Sequence, residues 1–211
     1  MERDEVFSLV AQERRRAADM FEALDDKQWR VPSLCGDWTV RDIAGHLVMP
    51  FLVGMRSLLW GLALNRGDFD RFSSRTSRQI AARPPAELVQ LLKANAEHRF
   101  TPPGLGPEAP LTDACVHARD VARPLGLPDS APLATWRVVL DFVTSPAARR
   151  FVPRDRLAGL RLTATDQDWS GGGGELVEGA SEAVALACLG RDVVLPELSG
   201  DGVAVLAHRL G

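Results

Sequence analysis

Apolar residues recur at helical spacing through the first half of the chain and alternate only near its end. Val6, Val10, Ala17, Phe21 and Leu24 form one stripe, with Leu9 and Met20 beside it, and predict a helix over about 4–25. A loop carrying Pro32 and Gly36 follows. Thr39 with Asp42 three residues on has the form of a capping box, and Trp38 and Ile43 are spaced for a hydrophobic staple across it. Ile43, Leu47, Phe51, Leu58 and Leu62 then line one stripe of a second helix. Residues 68–82 are polar and helical in character. Pro84 and Pro85 restart the chain for an amphipathic helix over 86–97, which Thr101-Pro102-Pro103-Gly104 ends. Leu111, Ala114, Cys115, Ala118, Val121, Ala122 and Leu125 mark a further helix, closed by Pro124 and Gly126.

Each stripe needs a partner to bury it, so four main helices over residues 1–126 predict a four-helix bundle. Past Leu127-Pro128 the texture changes. Residues 132–146 look helical, and Leu160 to Thr165 alternate like a half-buried strand. Gly171 to Gly174 read as a turn and Glu175 to Gly179 as its hairpin partner. Ser181 is placed to cap a short helix to Leu189 that Gly190 stops. Val193 to Leu195 suggest another strand, and Val203 to Leu210 a last helix. The expected fold class is mainly α with an α+β tail: a helical bundle over 1–126 and a small α+β domain over 127–211.

Composition narrows the partners. A net charge of -3 gives no bulk attraction to nucleic acid or an anionic membrane. The basic run Arg14-Arg15-Arg16 follows Glu13 and reads as a solvated helix face. The apolar stretch from Leu47 to Leu64 is interrupted by Pro50 and Arg56, which suits a buried helix better than a membrane span. The opening MERDEVFSLV is charged and lacks a signal-peptide core. Cys35, Cys115 and Cys188 are odd in number and widely spaced, so no disulfide framework is expected and a reducing cytoplasm is the simpler setting. Cys35 and Cys115 read as small buried hydrophobes.

The candidate chemistry sits on two helices. Asp113 and His117 are spaced i, i+4, which puts them on one helix face a turn apart. His46 flanks the stripe of the second helix. Two imidazoles and one carboxylate make an open ligand set for a divalent metal, and a bundle can bring them together across its interior. The spacing alone also suits a surface hydrogen-bonded pair and a satisfied core histidine. Pro50 has no N–H for the carbonyl of His46, so the helix should open or kink there. Asp42 reads as a capping carboxylate. Asp120 either orients a histidine or pairs with Arg123. His98 and His208 are expected at the surface, and the glycine run lacks the Lys-Ser/Thr of a phosphate-binding loop.

These runs carry a resemblance. Cys35-Gly36-Asp37-Trp38-Thr39-Val40-Arg41-Asp42-Ile43-Ala44-Gly45-His46-Leu47 resembles the C-P-x-W-T-V-R-D-L-x-x-H-L signature of the DinB-like metal-binding bundle, in its mycothiol-dependent maleylpyruvate isomerase branch. Asp113 to Gly126 is similar to that branch's E-x-x-x-H-x-x-D-x-A-x-x-L-G. Asp168-Trp169, Leu189-Gly190-Arg191, Leu198-Ser199-Gly200-Asp201-Gly202 and Arg209 match its tail. The resemblance implies a divalent metal, usually zinc, on His46, Asp113 and His117, with mycothiol as thiol cosubstrate in an actinobacterial setting. It implies a C-terminal domain that helps close the site, from which Arg209 or Arg191 would hold a substrate carboxylate. Asp113 stands where the branch has Glu, one methylene shorter, and Arg119 where a tryptophan is common.

The resemblance, with the ligand set it implies, leaves three functions open. One is a mycothiol-dependent isomerase or S-transferase working through an activated thiolate. Another is a non-catalytic metal- and thiol-binding regulator on the same scaffold. The last is a hydrolase that uses water at the metal.

Overall fold

A computed structural model describes residues 1–54, 60, 68–128 and 131–211. Leu58 and Leu62, expected on the second helix, lie outside the described residues. The chain divides into two compact units, Met1–Thr101 with Asp113–Ser130, and Pro102–Thr112 with Ala131–Gly211.

The first unit is helical. It holds α1 (Arg3–Glu22), α2 (Val40–Leu52), α3 (Phe69–Ala81), α4 (Pro85–Ala94) and the Asp113 end of α5 (Glu108–Ala122). Helix α2 starts where the capping box puts it. Thr39 Oγ1 accepts from the Asp42 N–H at 3.3 Å, and Asp42 Oδ2 accepts from the Thr39 N–H at 2.9 Å. Such a cap contributes about 1 kcal/mol. The helix runs only as far as Leu52, two residues past Pro50, which cannot donate to the His46 carbonyl.

Helix α2 packs along α3 and against α4, while α1 packs along α4. The polar 69–81 segment is thus a full member of the bundle, burying Phe72, Ser73, Ser77, Ile80 and Ala81. Gly45 permits the α2–α3 approach: a Cβ there would lie 2.4 Å from the Ser77 carbonyl oxygen. Phe21, Ile43, Leu47, Leu88, Leu92 and Val121 share one apolar core, in which Phe21 stacks on Trp29 at 5.4 Å. Trp38 packs against the same core as Ile43.

The Arg14 face departs from expectation. Arg14 and Glu13 are only 5% and 3% exposed. Successive helical residues are turned about 100° apart, so three consecutive arginines cannot all face water. Arg14 donates to the carbonyl oxygens of Ala96 at 3.1 Å and His98 at 2.6 Å and lies over the Phe51 ring. Glu13 pairs with Arg16.

The second unit holds α6 (Leu133–Val143), β1 (Leu160–Ala164), β2 (Ser170–Gly172), β3 (Glu175–Gly179), α7 (Ser181–Cys188) and α8 (Gly202–Leu210). Helix α7 packs on α6 and β1, and α8 on β3, around Trp136, Leu140, Leu160, Leu162, Leu186 and Leu206.

The sheet corrects the expected hairpin. Its order is β2-β1-β3, with β1 antiparallel to β2 and parallel to β3. The hairpin partner of β1 is therefore Ser170–Gly172, and Glu175–Gly179 lies on the other side. The glycine run carries the chain around the end of β1 rather than forming a simple turn. A Cβ on Gly174 (φ +122) would lie 2.0 Å from the Gly159 carbonyl oxygen, a crossing only glycine permits.

Two further expectations are corrected. Residues Asp192–Glu197 form a 3-10 helix and not a strand, with Pro196 inside it unable to donate to a ladder. The α7 N-cap is Ala180, and its capping acceptor is Asp166, which takes the Ser181 N–H at 3.0 Å and its hydroxyl at 2.5 Å. No described helix is long and apolar enough to cross a membrane.

Candidate metal centre

His46 comes from the middle of α2, and Asp113 and His117 from successive turns of α5. All three lie in the first unit. Their ligating atoms fall within 4.8 Å of one another. Asp113 Oδ1 is 3.1 Å from His46 Nε2 and 3.6 Å from His117 Nε2. The two imidazoles meet edge-on, with centroids 4.8 Å apart.

The outer nitrogen of each ring is held from behind. His117 Nδ1 is 2.9 Å from Asp120 Oδ2, whose side chain is 0% exposed. Of the two roles open to Asp120 in the sequence, the histidine contact is made. His46 Nδ1 lies 3.3 Å from the hydroxyls of both Ser73 and Ser77 on α3. His46 Nε2 and Asp113 Oδ1 are within hydrogen-bond distance, the imidazole N–H donating to the carboxylate. Around a metal each Nδ1 would instead donate to its outer partner and leave Nε2 for the ion, and outer partners of this kind are what hold metal-binding histidines.

Electrostatics favour the charged forms of both His117 and Asp113. Burial opposes a charged His117, but Asp120, Cys35 and Asp113 outweigh it and raise the imidazole to about 10. Burial likewise opposes a charged Asp113, yet His46, His117 and Arg14 hold the carboxyl down to about 2. The Asp113 side chain keeps 38% of its surface exposed, so water screens part of that attraction. Burial lowers Arg14 to about 10 while Asp113 pulls the other way, and Arg14 stays charged at neutral pH.

Trp38 roofs the imidazoles, 5.0 Å from the His46 ring and 6.0 Å from the His117 ring. Its indole N–H donates to Ser74 Oγ at 3.2 Å. Cys35, expected as a buried hydrophobe, is only partly buried and has its Sγ within 4.8 Å of a His117 ring nitrogen. Cys35, His117 and Asp120 form a second group whose ligating atoms lie within 4.8 Å. Sequence reasoning missed Cys35, Ser73, Ser77 and Arg14. An i, i+4 pair of serines on an otherwise charged helix was the available signal for two of them.

Two residues assigned through the resemblance lie in the second unit. Arg209 Nη1 donates to the carbonyl oxygens of Arg156 at 3.0 Å and Ala158 at 2.8 Å. Arg191 Nη1 donates to that of Leu189 at 2.8 Å. His98 and His208 are exposed, as expected.

The family model described as the mycothiol maleylpyruvate isomerase N-terminal domain matches residues 10–160. The chain belongs to this family. That match spans His46, Asp113 and His117, the residues that converge. A search of curated proteins finds no match. Among solved structures, a histidine-to-alanine mutant of the mycothiol-dependent maleylpyruvate isomerase aligns with TM-score 0.65 at 14% identity, covering 95% of this chain and 93% of that one. The unmutated isomerase aligns with TM-score 0.61 at the same identity and coverage. At that identity the likeness establishes a shared fold. The mostly helical chain with its small C-terminal sheet is the fold of those isomerases.

Proposed function

We propose that this chain is a divalent-metal-binding, mycothiol-dependent enzyme of the isomerase or S-transferase type. The supporting observation is the convergence of His46 Nε2, His117 Nε2 and Asp113 Oδ1, with the far ring nitrogens held by Asp120, Ser73 and Ser77. The donor set fits zinc: two imidazoles, each giving up any Nε2 proton to the metal, and one carboxylate leave a coordination position open. Bound there, the metal supplies positive charge that favours a thiolate over a thiol.

The chain's own residues do the rest. Asp120 keeps His117 oriented and its Nε2 available. Ser73 and Ser77 do the same for His46. Trp38 covers the imidazoles and keeps water from that side. Arg14 sets positive charge toward Asp113 from behind the site. Arg209, and more weakly Arg191, are assigned to a substrate carboxylate. The Arg209 bonds use Nη1 alone and leave its other guanidinium donors for such a group.

The Cys35 contact with His117 favours a second reading, a non-catalytic metal- and thiol-binding regulator. Elemental analysis of the purified protein, paired with maleylpyruvate turnover with and without mycothiol, tests both. The enzyme reading expects about one divalent ion per chain and turnover only with the thiol and the metal. Metal without turnover on any thiol-dependent electrophile would favour the regulator. Absence of any metal affinity would overturn both.

A further inference from the structure

We propose that Arg71 and Arg75 of α3 form a binding subsite for an oxyanion group, a carboxylate or a phosphate, on a small molecule that enters the metal centre. The proposal rests on the metal-centre reading above for what lies beside the subsite.

An open groove of about 490 Å³ is lined, among the described residues, by Arg71, Ser74, Arg75, Arg78 and Gln79. These occupy one face of α3 at i, i+3, i+4, i+7 and i+8. The adjacent face of the same helix gives Ser73 and Ser77 to His46. One helix therefore serves the metal centre on one side and the groove on the other.

The three arginines differ in their engagement. Arg78 is paired with Asp37 at 2.6 Å. Neither the Arg71 nor the Arg75 guanidinium has a hydrogen-bond, ion-pair or ring partner among the described residues, and both are exposed. Like charges at i, i+4 repel, so a helix that sets two arginines in that register beside a groove, without an acid between them, carries a cost. An anion between them removes it. Two guanidinium forks match the geometry of a carboxylate or phosphate in a way that two ammonium groups would not.

Trp38 joins groove and centre. Its ring lies 5.0 Å from His46, and its indole N–H donates to Ser74, which lines the groove. Ser74 thus links the groove through the Trp38 indole to the imidazoles. The subsite adds an oxyanion contact in the first unit to the carboxylate contact proposed for Arg209 and Arg191.

The test uses the full chain, with calorimetric titrations of maleate and of inorganic phosphate at constant ionic strength. Wild type, the double variant Arg71→Gln/Arg75→Gln, and the charge control Arg161→Gln, an exposed side chain on the central strand β1, are compared. At least one anion should bind wild type and the control alike, and the double variant at least tenfold more weakly. Loss of maleate binding assigns a carboxylate, and loss of phosphate binding a phosphate. The double variant should melt no lower than wild type, because a repulsive pair is gone. Equal binding in all three proteins, or none to wild type, overturns the subsite. Zinc titration of the same proteins should be unchanged by the arginine substitutions. Loss of zinc binding in wild type would overturn the metal centre and leave the anion result to stand or fall alone.

Discussion

Asp120 Oδ2 holds His117 Nδ1 at 2.9 Å on the same helix, one turn on, with its carboxylate wholly buried. This contact aims the Nε2 of His117 at Asp113, and it separates an organised centre from a chance i, i+4 pair. Replacing the carboxylate with an amide keeps the shape and removes the charge. Asp120→Asn should weaken zinc binding about 10–100-fold, the usual effect of losing such an orienting partner. Competition with a chromogenic chelator measures it. Unchanged affinity would mean that Asp120 does not position the ring.

Gly45 couples packing to the same centre. Alanine there would drive its Cβ against the Ser77 backbone, pushing α3 from α2 and its serines from His46. Gly45→Ala should destabilise the fold by about 1–3 kcal/mol, as overpacking does. It should also weaken zinc binding. Urea unfolding with and without zinc reads both effects, and a variant as stable as wild type would show that the helices do not meet there.

The three thiols should differ. All are free; Cys35 is partly exposed, while Cys115 and Cys188 are buried. Ellman titration of the folded protein should reach Cys35 and find the other two only after denaturation. Rapid reaction of all three without denaturant would contradict the described burial.

Burial pushes the Cys188 thiol up to about 12, against an ordinary 9.0. A folded-state value raised in this way gives stability that is complete below the unfolded value and lost as pH rises through the folded one. Stability should therefore decline from about pH 9 toward about pH 12, by at most ~1.4 kcal/mol per pH unit from this thiol. Cys188→Ala should show a shallower alkaline decline in urea melts. An identical decline in both proteins would remove Cys188 as its source.

What the sequence disclosed follows from how local each signal was. The convergence of His46, Asp113 and His117 was legible because i, i+4 spacing is a property of one helix and the capping box at Thr39 set where α2 begins. Ser73 and Ser77 were not, because a hydroxyl on a charged helix looks solvent-facing until Gly45 lets α2 approach it. Arg14 was hidden in a basic run, though helical geometry forbids three neighbours from sharing a face. Alternation at Leu160 and Leu162 revealed a strand but not its partners. Only the crossing at Gly174 shows that Glu175–Gly179 pairs in parallel. Cys35 looked like a core residue because its contact with His117 joins segments far apart in the chain.

The most direct measurement is thermal melting of wild type and His117→Ala, each with and without added zinc. A ligand that binds only the folded state raises the midpoint by mass action. Zinc should raise the wild-type midpoint and leave that of His117→Ala where it was. Equal zinc shifts in the two proteins, or none in wild type, would contradict the metal centre.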